Sequence, residues 1–305
     1  MSTFRSGFAC FVGRPNAGKS TLTNALVGEK VAITSSKPQT TRHAIRGLVH
    51  REEAQLVIVD TPGLHRPRTT LGERLNDLVR TTWAEVDTVA MCFPADEKIG
   101  PGDRFLIGEV AALRRKPVIA VATKTDLVRP DRVAEHLMAI EAAGREAGLQ
   151  WREIVPVSAV ADDQVGLLTD LLIGTLPQGP PMYPEGQLTD EPTETLVAEV
   201  IREAALEGVH DELPHSLAVV IEEVVPREGR PEDRPLLDVR AHVYVERDSQ
   251  KGIVIGRKGA RLKQIGTTSR TQIEKILGTP VHLDLHVKVA KDWQRDPKQL
   301  RKLGF

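Results

Sequence analysis

Eight residues near the N-terminus, Gly13-Arg14-Pro15-Asn16-Ala17-Gly18-Lys19-Ser20, constrain this chain more than any other feature. They fit G-x-x-x-x-G-K-[ST] in the context that gives the pattern its mechanical meaning: an apolar run at 8–12 precedes them and a helical pattern at 19–27 follows. Glycines let the main chain wrap closely around an anion without a Cβ clash. Successive N–H groups and the N-terminus of the following helix then converge on one negative charge. In such a loop Lys19 neutralises the terminal phosphates, and the Ser20 hydroxyl is a ligand for Mg²⁺. Gly13, Asn16, Ala17, Gly18, Lys19, Ser20 and Thr21 are the predicted contacts to a nucleotide's phosphates.

The surrounding pattern says what carries the loop. Short β-branched runs recur at 8–12, 55–60, 88–93, 117–123 and 154–158, with a further edge strand at 44–50. Helical patterns at 19–27, 72–83, 102–113, 131–147 and 164–176 separate them. Strands alternating with helices predict an α/β fold with a mostly parallel sheet. The next sixteen residues, 177–192, contain five prolines and two glycines. Proline fixes φ and removes a donor, so this stretch is read as a linker. Beyond it the order changes to helix, strand, strand, helix, helix, strand. Val239, Ala241, Val243 and Val245 alternate with polar residues, as do Val281, Leu283, Leu285, Val287 and Val289. Strict alternation marks a sheet with one covered face, so this part is a small α+β domain. The predicted organisation is a nucleotide domain at 1–176, a linker at 177–192 and a second domain at 193–305.

Four more segments fit guanine nucleotide. Asp60-Thr61-Pro62-Gly63 ends a strand, where Asp60 can hold Mg²⁺ through water and the Gly63 N–H can bond a γ-phosphate. In Gln39-Thr40-Thr41-Arg42-His43 a threonine can reach Mg²⁺ once the γ-phosphate orders the loop, and Thr41 is chosen over Thr40. Lys19, Thr41 and Gly63 are the predicted catalytic contacts, and Ser20, Thr41 and Asp60 the predicted Mg²⁺ set. In Thr123-Lys124-Thr125-Asp126 the Asp126 carboxylate can accept from guanine N1–H and N2–H₂, a donor pair that adenine lacks. Lys124 would cover the base, and a backbone N–H of Ser158-Ala159 would meet guanine O6. This motif usually begins with Asn, whose amide ties the phosphate loop to the base loop. A threonine makes fewer such bonds, so Thr123 predicts weaker affinity with guanine specificity kept. Leu64 stands where some GTPases place a water-orienting glutamine.

The second domain contains Gly252-Ile253-Val254-Ile255-Gly256-Arg257-Lys258-Gly259, an apolar run followed by G-x-x-G. In KH domains such a loop clamps the backbone of about four single-stranded nucleotides. Gly256 and Gly259 allow close approach, Arg257 and Lys258 supply phosphate contacts, and Ile253, Val254 and Ile255 are expected to floor the groove. The formal charge of −1 hides a strong division. Residues 248–305 carry thirteen Lys/Arg against five Asp/Glu, a net of +8, while 191–247 carry six against fourteen, a net of −8. A basic face of this kind is the footprint of a polyanion partner. No apolar stretch reaches the length of a membrane span. Two cysteines, Cys10 and Cys92, form no disulfide framework and point to a reducing cytoplasm.

The two halves together resemble the Era family of bacterial GTPases along essentially the whole chain. The marks are G-R-P-N-A-G-K-S, K-P-Q-T-T-R-H at 37–43, D-T-P-G-L-H at 60–65, Y-V-E-R-D-S-Q-K-G-I-V-I-G at 244–256 and D-W-Q-R-D-P at 292–297. The resemblance implies a P-loop GTPase domain joined to a type II KH domain, with Mg²⁺ as cofactor. It implies binding of the 3′ end of 16S ribosomal RNA on the 30S subunit, with GTP favouring the RNA-competent arrangement and no DNA partner. It also implies peripheral association with the inner membrane face in some members. Hydrophobic-substituted GTPases with an asparagine in the phosphate loop often use potassium, which makes Asn16 a candidate K⁺ ligand. Another reading stays open: an RNA-binding scaffold that holds GTP with negligible turnover.

Overall fold

The computed structural model describes residues 4–35, 40–64, 67, 69–113, 116–209, 213–231 and 234–305. Lys37, Pro38, Gln39 and His65 of the motifs above lie outside the described residues. The contacts divide the chain into two units. One comprises Met1–Thr34, Thr41–Arg66 and Leu75–Asp190; the other comprises Ser35–Thr40, Pro67–Arg74 and Glu191–Phe305.

The first unit is built on a six-stranded sheet: β1 (Arg5–Val12), β2 (Ile45–Arg51), β3 (Ala54–Asp60), β4 (Thr88–Pro94), β5 (Val118–Thr123) and β6 (Glu153–Pro156). Their order is β2-β3-β1-β4-β5-β6. Every pairing is parallel except β2 with β3, which a two-residue turn at Glu52 and Glu53 joins directly. The helices are α1 (Lys19–Val27), α2 (Thr70–Glu85), α3 (Pro101–Ala111), α4 (Pro130–Glu146) and α5 (Val165–Gly174). Two apolar clusters form the core, one holding Leu22, Leu56, Ile58 and Leu168, the other Val79, Met91, Ile107 and Ile140. Alternate residues of a strand point to opposite faces, so β3 feeds Leu56 and Ile58 to one cluster and Val59 to the other. All seven residues of β3 and of β4 are buried, as strands covered on both faces must be. Each fully buried Leu or Ile contributes about 2 kcal/mol.

The proline-rich segment is an ordered strap on this unit. The Ser6 hydroxyl donates to the Pro180 carbonyl at 2.7 Å. Gln55 receives the N–H groups of Met182 and Tyr183 at 2.6 and 2.9 Å and donates to the Tyr183 carbonyl at 2.9 Å. The Leu48 N–H donates to Leu188 at 2.9 Å, and Gly47 bridges Thr189. The strap thus satisfies main-chain groups along the free edge of β2.

The second unit contains α6 (Thr193–Leu206), α7 (Leu213–Ser216), β7 (Ala218–Pro226), β8 (Leu237–Val245), α8 (Asp248–Ile255), α9 (Ala260–Leu277), β9 (Val281–Val289) and α10 (Pro297–Lys302). This is the expected order with two short helices added. β8 is central, antiparallel to β7 and parallel to β9. Val239, Ala241, Val243 and Val245 are buried with Val197, Val200 and Ile201 of α6. Trp293 is fully buried, stacks on Phe305 at 5.5 Å and donates to the Ser216 carbonyl at 3.0 Å.

Candidate functional site

The phosphate loop leaves the C-terminal end of β1, and Gly18, at φ 88°, begins α1. Glycine at position 13 is compulsory, because a Cβ there would lie 2.9 Å from the Cys92 carbonyl oxygen of neighbouring β4. Asn16 sits exposed at the loop tip with φ 62°. Lys19 is buried and donates to the carbonyls of Gly13 and Arg14 at 3.1 and 3.0 Å, lying along the loop. Burial pushes its ammonium pKa down, against the pull of Asp60.

Three predicted metal ligands, far apart in sequence, meet here. The Ser20 hydroxyl donates to Asp60 Oδ2 at 2.6 Å, Thr41 Oγ1 lies 3.3 Å from the same oxygen, and the two hydroxyls are 3.1 Å apart. Asp60 is fully buried, and burial pushes its carboxyl pKa up while Ser20 and Lys19 pull it back. Its Oδ1 has no hydrogen-bond partner among the described residues. A buried carboxylate oxygen in want of a partner, beside two hydroxyls, suits a hard divalent cation with oxygen ligands. Thr41 meets Ser20 and Asp60; the Thr40 carbonyl instead accepts from Arg202, both Thr40 and Arg202 belonging to the second unit. Gly63 lies near the phosphate loop: a Cβ on it would be 3.4 Å from the Pro15 nitrogen. Leu64 is half-buried against the core rather than presented as a polar group to the site.

The base end is an apolar pocket of about 330 Å³ lined by Gly18, Thr21, Thr123, Lys124, Asp126 and Ala159, with Leu22, Leu127 and Val160. Leu127 and Val160 are 60% and 81% exposed, so two aliphatic side chains stand in solvent beside the pocket. They are the sort of surface that a flat base covers, and no motif in the sequence flagged them. Asp126 Oδ1 accepts from the Ser158 hydroxyl at 2.6 Å, which fixes the carboxylate. The Ser158 N–H donates to the Asp163 carbonyl at 3.1 Å. It is therefore already used within the turn, whereas Ala159 lines the pocket. Thr123 is buried and donates to the Ala17 carbonyl at 2.8 Å. The hydroxyl makes one of the ties between the two loops that an asparagine makes in the usual motif.

In the second unit the G-x-x-G loop joins α8 to α9. Gly256 has φ 72°, and a Cβ on it would lie 2.6 Å from Arg261 Cβ and 3.0 Å from the Arg261 nitrogen. Lys258 and Gly259 also take positive φ, at 52° and 78°. Arg257 and Lys258 are exposed at the turn. Beside the loop lies a groove of about 560 Å³, lined by Leu262, Lys263, Gly266 and Arg270 of α9 and by Leu283 and Leu285 of β9. The predicted floor needs correction. Val254 is fully buried in the core and Ile255 packs against it, while Ile253 alone is exposed. Three consecutive residues of a helix point about 100° apart, so they cannot all face one groove. Leu262, Gly266 and Arg270, spaced i, i+4, i+8, line the groove from one face of α9.

Comparison with known proteins agrees with this division. Residues 8–124 match the family described as 50S ribosome-binding GTPase, and residues 212–294 match the KH domain family. GTPase Era of Streptomyces coelicolor is 71% identical over 301 residues, covering 99% of this chain and 95% of that one. GTPase Era of a Mycobacterium species (strain KMS) is 66% identical over 307 residues and covers 100% of both. Two solved Era structures superpose with a TM-score of 0.92 at 36% identity, each covering 99% of both chains. One is an Aquifex aeolicus Era variant bound to GDP and AlF₄⁻; the other is Era in complex with MgGDPNP and nucleotides 1506–1542 of 16S ribosomal RNA. A nucleotide pocket on a P-loop sheet, followed by a KH domain and matched end to end by these relatives, places the chain in the Era family of GTPases.

Proposed function

We propose that this GTPase uses its nucleotide cycle to control binding of the 3′ end of 16S ribosomal RNA during assembly of the 30S subunit. The observation that carries the nucleotide half is the meeting of Ser20, Thr41 and Asp60 within 3.3 Å beside Lys19. Loop N–H groups and Lys19 hold the β- and γ-phosphates. In this reading the Thr41 hydroxyl and the Gly63 N–H sense the γ-phosphate and release on hydrolysis. Asp126 reads the guanine N1–H and N2–H₂ edge, the Ala159 N–H meets O6, and the Lys124 stem covers the ring. Ser20, Thr41 and Asp60 would hold Mg²⁺, which when bound neutralises charge developing on the phosphates. The carrier of the RNA half is the exposed Arg257-Lys258 turn beside the α9–β9 groove. Family membership supports the choice of RNA, since an Era relative is known in complex with that segment. A cytoplasmic site of action, with peripheral contact at the inner membrane face, belongs to the same proposal.

Leu64 has no group to orient water, so transition-state charge needs another source. Asn16, exposed at the loop tip, is proposed to hold a potassium ion there. Multiple-turnover hydrolysis in KCl against NaCl tests this and the scaffold reading together. The expected result is sustained turnover that is at least about tenfold faster in potassium, a modest share of what a charge-neutralising group supplies. Equal rates in both salts remove the potassium role; failure to turn over in either leaves only the scaffold.

A further inference from the structure

The segment connecting β4 to α3, with the first turn of α3, carries three carboxylates that no step above uses: Asp96, Glu97 and Asp103. Asp103 is almost fully buried, and its Oδ2 accepts from the Gly100 N–H at 2.9 Å, opening α3. Its other oxygen accepts from Arg14 Nε at 2.8 Å. Glu97 takes the same guanidinium through Nη2 at 2.7 Å. The Arg14 stem lies against the start of α3: a Cβ on Gly102 would come within 2.9 Å of its Cδ. The same segment reaches the base loop. The Ala95 N–H donates to the Thr123 carbonyl at 2.8 Å, and Asp96 lies 3.9 Å from the Lys124 ammonium.

Arg14 occupies a variable place in the phosphate-loop pattern, and its side chain turns to Glu97 and Asp103. Its main chain belongs to the site, because its carbonyl accepts from Lys19 Nζ at 3.0 Å and from the Ala17 N–H at 3.2 Å. A guanidinium fork fixed by two carboxylates, one of them buried, holds its own backbone in place. We propose that Arg14 is a positioning residue for GTP: with Glu97 and Asp103 it braces the phosphate loop against the β4–α3 segment, which also supports the Thr123-Lys124 base loop. The brace sets the spacing between the two loops that grip opposite ends of one nucleotide. Its contribution is to binding, because it preorganises both contacts before the nucleotide arrives.

The inference rests on the nucleotide reading of the pocket, and wild-type binding of a fluorescent GDP tests that reading separately. The decisive comparison is dissociation of fluorescent GDP and of a GTP analogue from the full chain, with KM and kcat for GTP. The variants are Arg14→Ala, Arg14→Lys, Glu97→Gln and the double variant Arg14→Ala/Asp103→Asn. Loss of a charge-assisted fork predicts dissociation about tenfold faster in Arg14→Ala. KM rises in step, and kcat falls less than threefold. Arg14→Lys keeps the charge but not the fork and falls between. The double variant removes the carboxylate that Arg14→Ala would leave unpaired, so its melting temperature returns toward wild type while fast dissociation persists. Wild-type dissociation in the double variant overturns the brace, and so does a loss confined to kcat. If Arg14→Ala does not fold, Glu97→Gln at the exposed partner decides: about threefold faster dissociation supports the brace, and an unchanged rate overturns it. Absence of GDP binding in the wild type would refute the pocket assignment itself.

Discussion

Replacing Asp126 by Asn is expected to turn this GTPase into a xanthosine nucleotide binder. The carboxylate lines the base pocket with one oxygen fixed by the Ser158 hydroxyl at 2.6 Å. An ionised carboxylate only accepts, which matches the two donors of the guanine edge. An asparagine offers one acceptor and one donor, which matches xanthine, where a carbonyl replaces the exocyclic amine. Against guanine the amide N–H would face another donor, and a polar site left unpaired in this way discriminates by about 10⁴-fold. Displacement of fluorescent GDP by GTP and by xanthosine triphosphate measures the exchange. GTP affinity should fall by about three to four orders of magnitude while xanthosine triphosphate gains. A variant that still prefers GTP would show that Asp126 does not read the base.

Changing Arg257 and Lys258 together to Asp is expected to remove RNA binding. Both side chains are exposed on the turn between α8 and α9, and Lys258 is held outward by its left-handed backbone at φ 52°. Each substitution replaces a phosphate contact by repulsion, so affinity should fall at least about 100-fold at moderate salt. The salt dependence is the sharper reading. Two lost contacts to a single strand reduce the slope of log K against log salt by about 1.4. Because neither residue is buried, the melting temperature should hold, which separates lost contacts from lost folding. Unchanged affinity would place the RNA away from the G-x-x-G loop.

What the sequence revealed follows from the range over which each feature is decided. The phosphate loop and the G-x-x-G turn are local patterns: glycine at 18, 256 and 259 answers positive φ within the loop itself, while glycine at 13 answers the close approach of Cys92 on β4. The parallel sheet followed from alternating strand and helix periods, and the meeting of Ser20, Thr41 and Asp60 followed from a helix start, a threonine in the loop between α1 and β2, and a strand end. The failures lie where partners are chosen by distant chain. Residues 83 and 89 places away in sequence hold Arg14, so nothing local to the loop announces the brace. The Ser158 N–H is taken by the turn to Asp163, a partner that the Ser158-Ala159 pair did not announce. The run Ile253-Val254-Ile255 looked like a groove floor because hydrophobicity was read without helical direction. The proline count in 177–192 correctly excluded helix, yet it gave no sign that Gln55 binds the main chain of Met182 and Tyr183.

The most direct test of nucleotide-controlled RNA binding uses one RNA and three nucleotide states. A short single-stranded RNA matching the 3′ end of 16S ribosomal RNA is titrated with the full chain, alone, with GDP and with a non-hydrolysable GTP analogue. Tight binding that strengthens about tenfold or more with the analogue over GDP, a coupling of about 1.4 kcal/mol, is the predicted result. The same affinity in all three states would contradict it, and would describe two domains that share a chain without communicating.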